Sequence, residues 1–600
     1  MSRRLVGSFD PRSGGLELTD DVPRSRPDGA LCLLDGQLDN ASAVRAELIR
    51  LGEDPGSSTE ELLAAGARCW GQGLLERMRG DFALLVWEAR RGRGFLARDQ
   101  LGVQPLFVHQ SGGVLRFASE LRDLLTLLPA TPAPDRAGVA HWIALSSRPG
   151  TETLYAGVQR LGPGELLAFG SSGVRRRRYW EPRFQEPLSL PPELLAERVR
   201  EALRVAVERR LDPGGETGVL LSGGLDSASI AALGGNRLRA CSGTFPGHPE
   251  ADEGELIAEL RRGRDLKGMV AEVRPGGLVA SILEHLAEWR APLLGWGDFW
   301  TLPLLRSAAA KGIGTVLGGD GGDELFGPRV YALADELRAG HPRRVLKLAR
   351  RLPGAGPHVG RREEATMIAR LALGGAVPPR PAGRRLPLTT GGAPPWLSRR
   401  SAAELIHSDD PDAWKRLQGP RWWAQVAYGI SSGIEATGVF EHQRRRAAMA
   451  GVEARHPMLD LDLIELCLRQ PPEQTLDPRF SRPVLRAAMA GLVPDSVRLR
   501  PEKALFESLI VSSLTGPDAG AVRAILTAPD AEIGAYVDQG RMTRALFGGK
   551  ESLRGDAFRW MWQVWRLLTI ELWLRAEAGS IGLLEPINRL STADVTISER

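Results

Sequence analysis

Six hundred residues exceed what one hydrophobic core organises, so two or more domains are expected. A hydrophobic fraction of 43%, a charged fraction of 25% and a net charge of +5 are those of an ordinary globular chain. They lack the strong basic bias of a nucleic-acid binder, and no run of about 18 apolar residues reads as a membrane span.

The N-terminal stretch MSRRLVGSFDPRSGG carries charge but no apolar h-region, so no signal peptide is expected. Residues 1 to about 180 read as a sheet-rich α+β module. ALCLLDGQLDN and GDFALLVWEARRGRGFLARDQLGVQPLFVHQ are β-rich runs broken by Gly, Asp and Pro, and TEELLAAGARCWGQGLLERM between them has helical period. The Pro-rich, charged segment 175–192 reads as a linker. A helix then places Leu194, Leu195, Val199, Leu203 and Val207 on one face. The strand TGVLLS, a helix from Leu225, the strand RACSGTF, the helix DEGELIAELRRGRD and the strand GTVLGG follow. Such alternation predicts a parallel sheet covered by helices on both faces.

From about 330 the chain reads as mostly helical, interrupted by a Pro/Gly/Arg-rich loop at 374–396. Weak periodicity after 580 predicts a disordered tail at 581–600. The four cysteines, Cys32, Cys69, Cys241 and Cys467, stand far apart, with no CxxC pair and no histidines at metal spacing. That points away from a disulfide framework or a zinc site and toward the reducing cytosol. The arginine runs 175–178 and 444–446 read either as solvated faces or as attractors of an acidic substrate or phosphates.

The stretch LLSGGLDS, 220–227, lies between an apolar strand and a helix. At the carboxyl end of a parallel strand a helix N-terminus points free N–H groups outward. Gly223 and Gly224 permit a tight turn and close approach to a phosphate, and Ser222 and Ser227 add hydroxyls. Asp226 would repel a phosphate unless it holds a Mg2+ that the phosphate shares. Neither a Walker G-K-[ST] nor a G-x-G-x-x-G is present.

SGGLDS resembles the pyrophosphate loop of ATP pyrophosphatases, which cleave ATP between the α and β phosphates. LGGDGGDELFG (317–327) resembles the second signature of the asparagine synthetase family, GVEARHPMLDLDLIE (451–465) its E-x-R-x-P-x-L-D motif, and LRPEKALF (499–506) the site of its catalytic lysine. DGQLDN, STEELL, RGDFALLVWE, LARDQLGVQPLF and FASELRDLL resemble, in order, its glutaminase domain.

The resemblance covers nearly the whole chain. It implies an α/β two-domain protein: an Ntn-hydrolase-like α+β sandwich at 1–180, and an ATP-pyrophosphatase (PP-loop, adenine nucleotide α-hydrolase-like) parallel sheet with added helices at 195–580. The implied cofactors are ATP and Mg2+. The implied nucleotide contacts are Leu221, Ser222, Gly223, Gly224, Asp226, Ser227, Gly318 and Gly319, with Mg2+ between Asp226 and Asp323 and Lys503 on the pyrophosphate. Asp320 either binds or orients Mg2+ or caps a turn; Glu324 and Arg455 complete the set. Glu453 either helps an amine lose its proton or is tied to Arg455 as an ion pair. His456 reads as structural.

The glutaminase pattern is broken. A working site of this family needs a cysteine directly after the initiator Met, where its own α-amine is the base. Residue 2 is Ser2, and the family's N-G-E loop reads Asp35-Gly36-Gln37. An amide that donates has become a carboxylate that only accepts. Glutamine hydrolysis is therefore not expected. Members of the family with a dead glutaminase domain use an amine already in the substrate, as β-lactam synthetase-like enzymes and lasso-peptide cyclases do.

The region 455–506 resembles the cyclases most, which implies macrolactam closure of a precursor peptide. A leader peptidase and a precursor-recognition protein are the further partners implied, with no nucleic acid and no membrane. The rivals are an ammonia- or glutamine-dependent asparagine synthetase, a β-lactam synthetase-like small-molecule cyclase and a non-enzymatic scaffold.

Overall fold

The computed structural model describes residues 4–19, 30–145, 151–353, 361–379, 393–405, 412–433, 438–501, 504, 506–548, 557–580 and 595–599. The N-terminal domain is a sandwich of two five-stranded antiparallel sheets. Its strands are β1 (Val6–Asp10), β2 (Gly15–Leu18), β3 (Leu31–Gly36), β4 (Phe82–Glu88), β5 (Arg93–Arg98), β6 (Phe107–Ser111), β7 (Val114–Ala118), β8 (Val158–Arg160), β9 (Glu165–Gly170) and β10 (Gly173–Arg178). One sheet runs β2-β1-β7-β6-β8, the other β10-β9-β5-β4-β3.

Phe9, Leu115 and Phe117 of the first sheet share a core with Leu85, Leu96 and Phe169 of the second. Helices α1 (Ala41–Arg50) and α2 (Thr59–Trp70) follow β3. Leu63 and Ala67 of α2 pack on Leu84 and Val86, the outer face of the second sheet. This is why FALLVW is a continuous apolar run rather than an alternating one: both faces of β4 are covered. The single helix expected over 59–78 is divided, because Gly71 takes a left-handed φ of +57° and ends α2.

After α3 (Arg136–Ile143) and the linker comes α4 (Pro192–Arg209). It buries Leu195, Val199, Leu203 and Val207 as expected, but leaves Leu194 41% exposed. Leu194 stands one position, about 100°, off that stripe.

The second domain carries β11 (Glu216–Leu220), β12 (Leu238–Thr244), β13 (Gly268–Val273), β14 (Ile313–Leu317), β15 (Glu453–Arg455) and β16 (Val595–Glu599), in the order β15-β14-β11-β12-β13-β16. All neighbours are parallel except β13 and β16. The disorder expected past 580 therefore does not hold for 595–599, which covers the β13 edge; an otherwise bare edge would offer unpaired N–H and C=O groups. Helices α5 (Leu225–Gly234), α6 (Gly254–Arg264), α7 (Leu278–Trp289), α8 (Asp298–Ala310), α9 (Gly322–Phe326), α10 (Val439–Ala450) and α11 (Ala557–Glu577) complete the elements that shape the site. No helix among the described residues is long and apolar enough to cross a membrane.

The domains share a core. Phe107, Leu121, Val139 and Tyr155 pack in one cluster with Val279, Leu302, Trp565 and Trp573. The chain order reverses at β11, whose neighbours are β14 and β12. Ligands of open parallel sheets bind outside the strand carboxyl ends at such a switch point.

Candidate active site

The turn after β11 is held by its two serines. The Ser222 N–H donates to Ser227 Oγ at 3.1 Å, the two hydroxyls are 2.9 Å apart, and the Gly224 N–H donates to Ser222 Oγ at 3.2 Å. Leu221 continues the strand, its N–H donating to the Cys241 carbonyl at 2.9 Å. The Gly223 N–H donates to a carboxylate oxygen of Glu253 at 2.9 Å, and Glu253 is itself paired with Arg500 at 2.6 Å. The turn thus already receives an anion through its backbone, the chemistry a phosphate oxygen needs.

The second glycine turn, after β14, fits against the first. A Cβ on Gly322 would lie 2.5 Å from the Asp226 carboxyl carbon, and one on Gly319 would lie 3.1 Å from Asp226 Cβ. Gly321 has φ +90° and lies against Leu459, 2.4 Å from where a side chain would begin. The glycines of LGGDGGD are required because two backbones and a carboxylate share this space.

Asp226 and Asp323 converge on one cation. Arg482 Nη1 is 2.6 Å from Asp226 Oδ1 and 3.3 Å from Asp323 Oδ1. Burial opposes the charge on Arg482, but the two carboxylates outweigh it and raise its pKa. Glu324 beside them is raised by burial and by Asp323, Asp320 and Asp226. Asp320 lies 3.2 Å from His456 Nδ1 and accepts from Gln443 Nε2 at 2.6 Å. Against the effect of burial, those contacts lower its pKa to about 2. The Gly318 N–H donates to the Arg455 carbonyl at 2.9 Å, tying the second turn to β15.

Glu453 is ion-paired with Arg455, its neighbour two along β15, at 3.1 and 3.2 Å. Both line a cavity of about 390 Å³ between the domains, with Gln37, Gln104 and Glu120 on one wall and Arg444 and His456 on the other.

Arg444 of α10 reaches into the N-terminal domain. Its Nη2 donates to both oxygens of Asp35 at 3.0 and 2.9 Å, and its Nε to Glu120 at 2.5 Å. Gln104 Nε2 adds a bond to Asp35 at 2.8 Å, and Asp35 is 0% exposed. The run 444–446 is therefore not a solvated face: Arg445 pairs with Glu441 and Arg446 with Asp298. The run 175–178 forms the edge strand β10, and Arg175, Arg177 and Arg178 reach solvent.

The structure brings Ser222, Gly223, Gly224, Asp226, Ser227, Gly319 and Asp323 together, with Asp320 and Glu324 beside them. It places Glu453 and Arg455 in the adjoining cavity. Lys503 and Ser2 lie outside the described residues, as do residues 380–392 of the Pro/Arg-rich loop. Sequence reasoning missed Glu253 and Arg482, and singled out Arg444 without its partner Asp35. Each reaches its partner across 30, 256 and 409 positions respectively, and no local spacing signals that.

An asparagine synthase family model matches residues 198–575, and a glutamine amidotransferase domain model matches residues 16–180. Asparagine synthetase [glutamine-hydrolyzing] 3 of Bacillus subtilis is 32% identical over 205 residues, 34% of this chain and 33% of that protein. Asparagine synthetase [glutamine-hydrolyzing] 1 of the same organism is 26% identical over 335 residues, 54% and 51% of the two chains. Amidase chry2 of Gibberella zeae is 27% identical over 333 residues, 52% and 49%. The chain spans about half the length of such curated relatives, or less. A solved glutamine phosphoribosylpyrophosphate amidotransferase from B. subtilis aligns with 49% of this chain and 63% of its own at 13% identity, with a TM-score of 0.20, too low to bear on the fold. The ligase-side match alone takes in more than half of the residues, and the chain belongs to the asparagine synthase family.

Proposed function

We propose that the protein is an ATP-dependent carbon–nitrogen ligase that joins a substrate carboxylate to an amine of the same substrate, most like the macrolactam closure of a lasso peptide. The observation that carries the departure from glutamine is Arg444. It ties up the carboxylate of Asp35 together with Glu120 at the cavity between the domains, on the loop that the resemblance assigns to gripping glutamine.

The ligase domain is read as a PP-loop fold because its two glycine turns meet at the β11/β14 switch point. ATP lies along 221–227 in this reading. Asp226 and Asp323 fit a Mg2+ ion: two hard oxygen donors already converge on one cationic nitrogen. When bound, the ion would neutralise charge on the pyrophosphate. Two protein carboxylates alone would leave most of the ion's shell to phosphate oxygens and water.

A substrate carboxylate oxygen attacks the α phosphorus, and the P–O bond to pyrophosphate breaks. The turn N–H groups and Lys503 stabilise the leaving charge. The substrate amine then attacks the acyl carbon and AMP leaves with the C–O electron pair. The amine proton passes to Glu453, which is freed from Arg455 in that step. Holding amine and acyl carbon in one molecule is worth up to about 7–11 kcal/mol in ideal geometry.

The precursor peptide is the substrate, a leader peptidase and a precursor-recognition protein are its suppliers, and the reducing cytosol is its compartment. Ammonia-dependent asparagine synthesis is the second reading, favoured by the similarity to the B. subtilis synthetases. Glutamate release from glutamine tests the carrying observation. None above background is expected, with or without ATP. Glutamate release that rises when ATP and aspartate are added would overturn the reading.

A further inference from the structure

A second cavity lies between the domains on the other side of α10, and nothing in the proposed reaction uses it. Its volume is about 170 Å³. Its charged and imidazole lining comes from both domains: His141, Glu152 and Arg160 from one, Glu441, His442, Arg445 and Arg566 from the other, three arginines to two carboxylates. The charges do not balance. Glu441 takes up both Arg160 and Arg445. Arg566 of α11 has no carboxylate partner among the described residues. It is packed against the ring of Trp142 at 4.2 Å and that of Trp562 at 5.7 Å. Its Nε is buried without a hydrogen bond, as is Nδ1 of His442.

A half-buried cation without an ion pair of its own is costly, and burial lowers the Arg566 pKa to about 10. The group is still charged at neutral pH. Leu145, Leu154 and Leu294 give the wall an apolar side, beside Thr153 and Tyr155. At about 30 Å³ per water the space holds about five or six waters, or one small organic anion. One arginine in excess of the carboxylates, beside Leu154 and Leu294, favours a monoanion with a short hydrocarbon body over doubly charged phosphate.

We propose that this cavity binds a small aliphatic monocarboxylate, its carboxylate on Arg566 and its body against Leu154 and Leu294, and that the ligand clamps the N-terminal domain to the ligase domain. The carboxylate belongs either to a free acid or to the end of a peptide. The clamp gives a reason for a domain with a broken glutaminase pattern to stay docked, and it holds whatever the ligase substrate is.

Thermal unfolding of the full chain with butyrate, butyramide and inorganic phosphate tests it. Butyrate should raise the melting temperature saturably, by about 2 °C or more well above its Kd, while butyramide and phosphate should not. Arg566→Gln should abolish the response. Because Arg566→Gln also removes packing against Trp142 and Trp562, a second variant, Leu154→Phe, which fills the pocket and keeps every charge, should abolish it too. Butyrate and a dipeptide ending in alanine, compared at equal concentration, separate a free acid from a chain end. Equal shifts with acid and amide, or a saturable butyrate response retained in Leu154→Phe, would overturn the proposal.

Discussion

Asp226 is the residue on which most of the site depends. It packs under Gly322, faces Arg482, and is the first carboxylate of the cation site. Asp226→Asn should lower ATP-dependent pyrophosphate release by about two to three orders of magnitude, as loss of one preorganised charge group does elsewhere. Its melting temperature should change little, since Arg482 keeps Asp323.

Arg444 is a structural cation, and its removal reads out differently. Arg444→Met removes the cation that buried Asp35 and Glu120 share and should cost about 3–5 kcal/mol. Adding Asp35→Asn and Glu120→Gln should return most of that, measured by denaturant midpoints. A single variant as stable as the parent would contradict the ion-pair account.

The thiols give a third test. Burial pushes Cys32, Cys241 and Cys467 up to about 12, while Cys69 is exposed. The thiolate is the reactive form and appears only as pH rises toward the pKa, so the three buried thiols stay protonated at pH 8. A disulfide reagent at pH 8 should modify one thiol in the native protein and four after denaturation.

At the scale of elements, the two glycine turns act as one device. Gly322→Ala drives a methyl into the Asp226 carboxylate and should reduce pyrophosphate release by about tenfold or more, from misplacement of the reacting groups. Circular dichroism should be unchanged, because α9 is short and alanine favours helix. The C-terminal strand has its own test. Truncation after Ser580 uncovers β13, and amide exchange over Gly268–Val273 should speed up by about tenfold or more.

The strands β11, β12 and β14 and helices α5 and α6 were legible because apolar runs and glycine turns mark them. β16 was not, because VTISE has strand character only when the β13 edge is there to receive it. Gly71 was read through as helix because the helical period continues beyond it.

At the scale of the molecule, the two glycine turns were readable from sequence, since each is a local pattern. The ion pairs that Arg444 makes across the domains were not. They require Arg444 on α10 to meet Asp35 on β3, and only the docked sandwich brings them together. The sequence showed that Asp35 and Gln37 depart from a glutamine site; the fold adds that Asp35 has become part of the domain interface. The shared core around Tyr155 and Trp573 makes the N-terminal domain a wall of the ligase rather than a separable module.

The most direct test of the reading as a whole is pyrophosphate release from ATP by the purified protein, compared across a candidate precursor peptide, aspartate with ammonia, and aspartate with glutamine, with the peptide followed by mass spectrometry. The account predicts release that depends on the peptide and a product lighter by one water. Release that depends on aspartate, with asparagine formed and the peptide unchanged, would contradict it.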